Sequence, residues 1–362
     1  MSSWRSRFLA TVVVASIALT AACTSAVPGE PVAAPGAEEK GKKAKSKIDA
    51  GTGPVAGLGE LNARREVDPC ALFPKDAQDT LGKKVNYIGG KTKIDTCTFG
   101  IEVWAGEPPK DPAERAPNLG VVDIALNSGM VYVDEERAST GDRGPMTKES
   151  RDDFEVYSSQ EPRICTRRAL FKDKSMIEVE VTTRNNSTQA DPCESAETVL
   201  SSALKVMRAG QITRRSVPAN SLVNVDACGL VTPDVVTAVT GGTPPRHQGP
   251  SIRNCLWTLD PKSTKTDALL VDVVLTSAVN NEMVKSVPPI GGRPAAAVQL
   301  PFSAPGMPGT CTIEVSHIPF ETQLPGKKEA LSVMSITQAG PEAACQKARA
   351  GAELLASKMP AM

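Results

Sequence analysis

The sequence predicts an α+β fold made of two homologous modules, each an antiparallel sheet with a short N-terminal helix, a C-terminal helix and two disulfides. Three observations predict it. First, Val67-Asp68-Pro69-Cys70-Ala71-Leu72 returns as Val225-Asp226-Ala227-Cys228-Gly229-Leu230, 158 residues on, and the same offset carries Asp76 onto Asp234 and Cys97 onto Cys255. Second, Cys193, Ala196, Leu200, Ala203 and Met207 share one helical face, and Cys345, Ala348, Ala352, Leu355 and Met359 repeat that spacing. Third, the residues between these landmarks alternate apolar and polar, as half-buried strands do.

The chain opens on residues 1–22, which read as an export signal. Arg5 and Arg7 precede an apolar run from Phe8 to Leu19. That run suits a signal and is too short for a membrane span. Thr20-Ala21-Ala22-Cys23 resembles a bacterial lipobox, with Thr20 in place of the usual aliphatic residue. The resemblance implies cleavage before Cys23 and a diacylglycerol on its thiol. Residues 23–60 are rich in Pro, Gly, Ala and Lys and read as a disordered tether, because so little burial cannot offset chain entropy. It would hold the first module roughly 35–40 Å from the lipid. The lysines from Lys40 to Lys47 are read as part of a solvated spacer.

The first module spans residues 61–212. Asp68-Pro69-Cys70 opens it, and a helix from Pro74 stops near Gly82. Cys97, Phe99, Ile101 and Val103 form one strand face, and Val122, Ile124 and Leu126 another. Residues 130–152 are a polar excursion, with helix expected in part. Strands follow near 154–158, 163–171 and 175–183. Asp191-Pro192-Cys193 then starts the closing helix, with Asp as cap and Pro at the first position. The second module spans residues 220–362 and repeats this plan. Thr232-Pro233-Asp234 begins a helix ended by Gly241-Gly242, Cys255 and Trp257 lie on a strand, and Leu269, Val271, Val273 and Leu275 lie on the next. Asp272 is read as the counterpart of Asp123. Strands near 295–300, 311–315 and 331–337 precede the closing helix.

Formal charge is balanced at 41 basic and 41 acidic residues, without the basic footprint of a nucleic-acid binder. There are nine cysteines. Eight divide four and four between the modules, and an even set in an exported chain indicates disulfides. Four cysteines allow three connectivities in each module, and sequence does not choose among them. Nearest neighbours are favoured: Cys70–Cys97, Cys165–Cys193, Cys228–Cys255 and Cys311–Cys345. No CxxC occurs and only two histidines exist, which argues against zinc. His247 and His317 have no counterparts in the first module. Asp123 and Asp272 could do acid–base work as a pair, though solvent-facing strand positions are the favoured account of them. Asp68 and Asp226 read as turn or cap residues. Trp104 and Trp257 offer little sugar-stacking surface. No catalytic residue, cofactor or metal is expected.

The lipobox at Cys23, the Asp-Pro-Cys-Ala-Leu opening, the helix ending at Gly82 and the Cys-x-aromatic strands at Cys97 and Cys255 resemble a family of actinobacterial lipoproteins with DUF3558-like modules, here in tandem. That family has no established activity, so the resemblance implies location and form. The expected protein is a non-catalytic, lipid-anchored binding or sensing lipoprotein on the extracytoplasmic face of the cell membrane. Its partners are the membrane, through the lipid on Cys23, and a cell-wall polymer, lipid or envelope protein. Its ligand is expected between the modules. The alternatives are a cell-envelope hydrolase or transferase using carboxylates, and a structural adaptor.

Overall fold

A computed structural model describes residues 50, 54–59, 61–81, 83–85, 93–103, 120–131, 140–141, 144–151, 153–183, 191–248, 251–260, 266–276, 284–299, 308–320 and 326–362. It is a mixed α+β structure with two seven-stranded antiparallel sheets. The first sheet contains β1 (Lys83–Val85), β2 (Thr96–Val103), β3 (Gly120–Val131), β6 (Thr147–Arg151), β7 (Phe154–Glu161), β8 (Ile164–Leu170) and β9 (Ser175–Thr183) in the order β1-β2-β3-β9-β8-β7-β6. A separate small ribbon pairs β4 (Thr140–Gly141) with β5 (Gly144–Pro145). The second sheet contains β10 (Arg246–Gln248), β11 (Asn254–Thr258), β12 (Ala268–Leu275), β13 (Val284–Ile290), β14 (Arg293–Gln299), β15 (Gly309–Pro319) and β16 (Lys328–Thr337) in the order β10-β11-β12-β16-β15-β14-β13. Strand order is therefore the same in both.

The agreement extends to individual residues. Cys97 faces Leu126, which faces Val179, while Cys255 faces Val271, which faces Val333. Two residues further on, Cys165 faces Val181, and Cys311 faces Ser335.

Among the described residues, four of the six helices flank the sheets at matching places. In the first half these are α2 (Lys75–Leu81) and α3 (Pro192–Arg208), preceded by α1 (Leu61–Arg65) and the 3-10 turn Pro69–Leu72. In the second half the short α4 (Ala227–Leu230) is followed by α5 (Pro233–Thr240) and α6 (Pro341–Ala356). Asp191 caps α3 by accepting from the Cys193 N–H, and Pro192 occupies its first turn. Ala196, Leu200 and Ala203 are fully buried against the first sheet, and Ala348, Ala352 and Leu355 against the second. Gly241 ends α5 in the left-handed conformation at φ 74°.

Three expectations need amendment. Residues 54–59 were assigned to the tether, yet Val55 and Leu58 join the first core. The Asp153 carboxylate accepts from the Val55 N–H, the Ser175 hydroxyl from the Leu58 N–H and the Asp173 carboxylate from the Gly59 N–H. A composition average hides two buried side chains among glycines. The excursion at 130–152 contributes strands among its described residues, not helix; β6 is a charged edge strand exposed on both faces. Such a strand has no hydrophobic alternation to read. Five strands are expected per module, and among the described residues each large sheet has seven. The missed ones sit at sheet edges, and β13 carries Pro288 and Pro289 at a bulge, where proline is tolerated.

Candidate functional site

Four disulfides join Cys70 to Cys97, Cys165 to Cys193, Cys228 to Cys255 and Cys311 to Cys345. Each opening turn is thus tied to the second strand of its sheet in chain order, β2 or β11, and each closing helix to β8 or β15, beside the central strand. Asp68 and Asp226 accept hydrogen bonds from the Cys70 and Cys228 N–H groups, so both act on the local backbone. Cys23 lies outside the described residues, as does Trp104. Trp257 is buried in the second core. Among the described residues no three metal-ligating side chains converge.

The two sheets meet at a buried charged junction. Arg253 and Asp95 pair at 2.8 Å, both almost fully buried. Arg253 also donates to the Val223 carbonyl at 2.9 Å and to the Arg65 carbonyl. Arg65 pairs with Asp226 at 3.2 Å and Arg215 with Asp68 at 3.6 Å, so the caps of both opening turns take part. Burial pulls the Arg65 and Arg215 guanidinium groups below their ordinary values, opposed mainly by those aspartates. Backbone and apolar contacts join here as well. The Ile252 N–H donates to the Gly129 carbonyl, and Ile94 packs into the second core. Asp95 and Arg253 thus join the two halves by direct contact at this point.

Beside this junction lies the face of the second sheet that carries no closing helix. Asn254, Asp272, Ser332, Glu314 and Ala296 stand in one cross-strand row on it. The neighbouring row on the same face is Leu256, Leu270, Met334, Thr312 and Val298. Burial pushes the partly buried Asp272 carboxyl up to about 7; Lys93 opposes the shift and Asp95 adds to it. Burial also raises Glu314, opposed by Lys327. In the first sheet the equivalent row is Thr96, Asn127, Glu178, Arg168 and Tyr157. There Arg168 neutralises Glu178 at 2.7 Å. The second sheet thus combines an apolar row with two carboxyls whose proton affinity burial raises, Asp272 among them to about 7.

The register corrects one equivalence. Asp272 faces Asn254 as Asn127 faces Thr96, so the counterpart of Asp272 is Asn127 and not Asp123. Asp123 instead lies opposite Gly100 and Thr182. Strand alternation repeats every two residues and is blind to slips of two or four. The charged groups that act most on Asp272 are Lys93, Asp95 and Arg253. His247 Nε2 contacts the Thr258 carbonyl at 2.9 Å, whereas His317 is buried between Arg293 and Asn220. Asp95, Arg253, Ser332 and Glu314 were not singled out by sequence. A signal for the first two existed, since the 158-residue offset places Asp95 on Arg253.

The DUF3558 family, described as "Protein of unknown function", matches residues 18–205. That is just over half of the chain. The chain belongs to this family. The matched span of this DUF3558 protein takes in the first sheet and ends before the second begins. No curated protein matches it. A solved structure titled for DynU16, from the dynemicin biosynthetic locus, is 10% identical and covers 83% of this chain and 93% of its own, with a TM-score of 0.16. A likeness that slight carries no argument about fold or function.

Proposed function

We propose that this DUF3558 protein is a lipid-anchored extracytoplasmic binding or sensing lipoprotein, without catalytic activity, built from two homologous modules. One observation carries the anchor. Eight of nine cysteines are consumed in four internal bonds, and the remaining one, Cys23, directly follows an apolar leader. Disulfides on this scale belong in an oxidising compartment outside the cytoplasm. The shared strand order and cysteine register support descent of both halves from one module. The tandem arrangement and the leader also support a place among actinobacterial lipoproteins.

The binding surface in this reading is the half-buried face of the second sheet away from α6, where Asp272, Ser332 and Glu314 adjoin Leu256, Leu270 and Met334. It suits a ligand with an apolar part and a hydrogen-bonding part, drawn from wall polymers, lipids or envelope proteins. Thermal-shift measurements on the full chain against wall fragments and lipids test this. Stabilisation that is lost in Asp272→Asn supports it, and turnover of a compound without stabilisation counts against it. For the anchor, Cys23→Ser should move the protein from the membrane to the soluble fraction; retention in the membrane would sink the anchor.

A second reading, an envelope hydrolase or transferase using carboxylates, keeps one supporting observation. Asp272 and Glu314 both have raised proton affinity and stand two strands apart, roughly 10 Å between backbones. Hydrolysis of a wall glycan that disappears in both Asp272→Asn and Glu314→Gln would favour it over binding alone.

A further inference from the structure

We infer that His317 is an acid-sensitive latch holding the linker between the halves and the C-terminal tail against the second sheet. His317 is buried at the far end of β15, beside Arg293 at the start of β14. Arg293 Nη1 lies 2.6 Å from His317 Nδ1, and His317 Nε2 lies 2.6 Å from the Asn220 carbonyl oxygen. A guanidinium only donates and a carbonyl only accepts. The ring must therefore accept at Nδ1 and donate from Nε2, which is the neutral form with its proton on Nε2. A second proton could only go onto Nδ1, where it would point into the Arg293 N–H and set two cations side by side. Acid thus breaks the Arg293–His317 contact.

That contact supports two segments. Arg293 Nη2 donates to the Pro360 carbonyl at 2.5 Å, and Asn220 Nδ2 donates to the Ala361 carbonyl at 3.0 Å. The next two linker residues are held by Glu329, at the start of β16, which accepts from the Ser221 hydroxyl at 2.5 Å and the Leu222 N–H at 2.6 Å. Among the described residues the ionisable groups engaged with this clasp are Arg293 from β14 and Glu329 from β16, while Lys358 of the tail reaches Thr232. The carboxylate has both oxygens occupied by linker donors, so it does not compensate a charge on His317.

The test is hydrogen exchange on the full chain at pH 7, 6 and 5, corrected for intrinsic rates, following residues 218–224 and 357–362. Acidification from pH 7 to pH 5 should raise the opening of these segments roughly tenfold or more. The rest of the second sheet should stay protected. His317→Gln, which keeps one acceptor and one donor but cannot titrate, should abolish that rise, and His247→Gln should leave it intact. Should His317→Gln fail to fold, the wild-type protein still decides. The acid-induced opening must appear at residues 218–224 and 357–362 and not across the rest of the second sheet. Opening spread over the whole sheet, or no excess opening on acidification, would overturn the latch.

Discussion

Asp95 and Arg253 occupy the same register position in the two sheets, each two residues before the first strand cysteine, and pair with each other at 2.8 Å. Their own carbonyls take equivalent hydrogen bonds, from Ser128 N–H and Val273 N–H. Identical charges there would repel; opposite ones make the contact complementary. The halves consequently share an interior: Ile94, just before β2, packs in the second core.

Removing one partner should therefore be costly. Asp95→Ala strands a buried guanidinium and should cost about 3–5 kcal/mol. The swap Asp95→Arg with Arg253→Asp should recover only part of that. Arg253 also donates to the Val223 and Arg65 carbonyls, which an aspartate cannot satisfy. Urea unfolding checks both, and a loss below 1 kcal/mol for Asp95→Ala, roughly the worth of an exposed pair, would refute the buried junction.

Asp272 gives a pH dependence with a definite sign. Its folded carboxyl holds a proton up to about 7, against an ordinary value of 3.8. The folded form therefore binds the proton more tightly. The stability this confers is complete below the ordinary value and is lost as pH rises through 7. Asp272→Asn places in the second sheet what Asn127 provides in the first. It should leave stability nearly unchanged at pH 4 and raise it by about 2 kcal/mol at pH 8, a figure reduced from the full linkage because one side of the carboxylate keeps solvent. Denaturation midpoints across pH 4–8 measure the difference. A variant that is less stable than wild type at pH 8 would show that the ionised carboxylate is satisfied in place.

What could be read from sequence follows from which signals are local. Cysteine spacing, the caps at Asp68, Asp191 and Asp226, and the face of each closing helix depend on a few neighbouring residues. They name the elements they belong to. The register of Asp272 depends on strand partners far apart in sequence, and a period of two leaves it free to slip. Edge strands such as β6 and β13 are polar or proline-bearing because solvent covers them, so the rules for half-buried strands pass over them. Arg293, His317 and Asn220 come from three separated segments. Only folding brings them together.

Close packing predicts the effect of two glycines. A Cβ on Gly309 would fall 2.1 Å from the backbone carbon of Gly340, which cannot move without shifting the start of α6. A Cβ on Gly351 would meet a Val239 methyl at 2.7 Å, which a small movement of α5 can relieve. Gly309→Ala should cost about 3 kcal/mol or prevent folding, and Gly351→Ala about 1–2 kcal/mol, within the range for overpacking. Thermal unfolding ranks the two. Equal losses would mean that the backbone at Gly340 yields as easily as a side chain.

The last prediction concerns the stretch before α1. Leu58 is buried in the first core, and Gly57 just before it runs at φ 84°, with an added Cβ meeting the Asp173 carboxylate at 2.3 Å. Arg64 reaches back to the Gly59 carbonyl at 2.5 Å and to the Asp173 carbonyl at 2.8 Å, closing a strap over the sheet. Leu58→Ala removes buried methyl groups and should cost about 2–4 kcal/mol. Gly57→Ala adds both a clash and a strained φ, and should cost at least as much as the left-handed penalty of about 1 kcal/mol. By contrast, Pro54→Ser, at an exposed position, should be silent within about 0.5 kcal/mol. Chemical denaturation of the three variants separates a packed strap from a loose tether. If Leu58→Ala matched Pro54→Ser, residues 54–59 would belong with the spacer after all, and the first core would have to close without them.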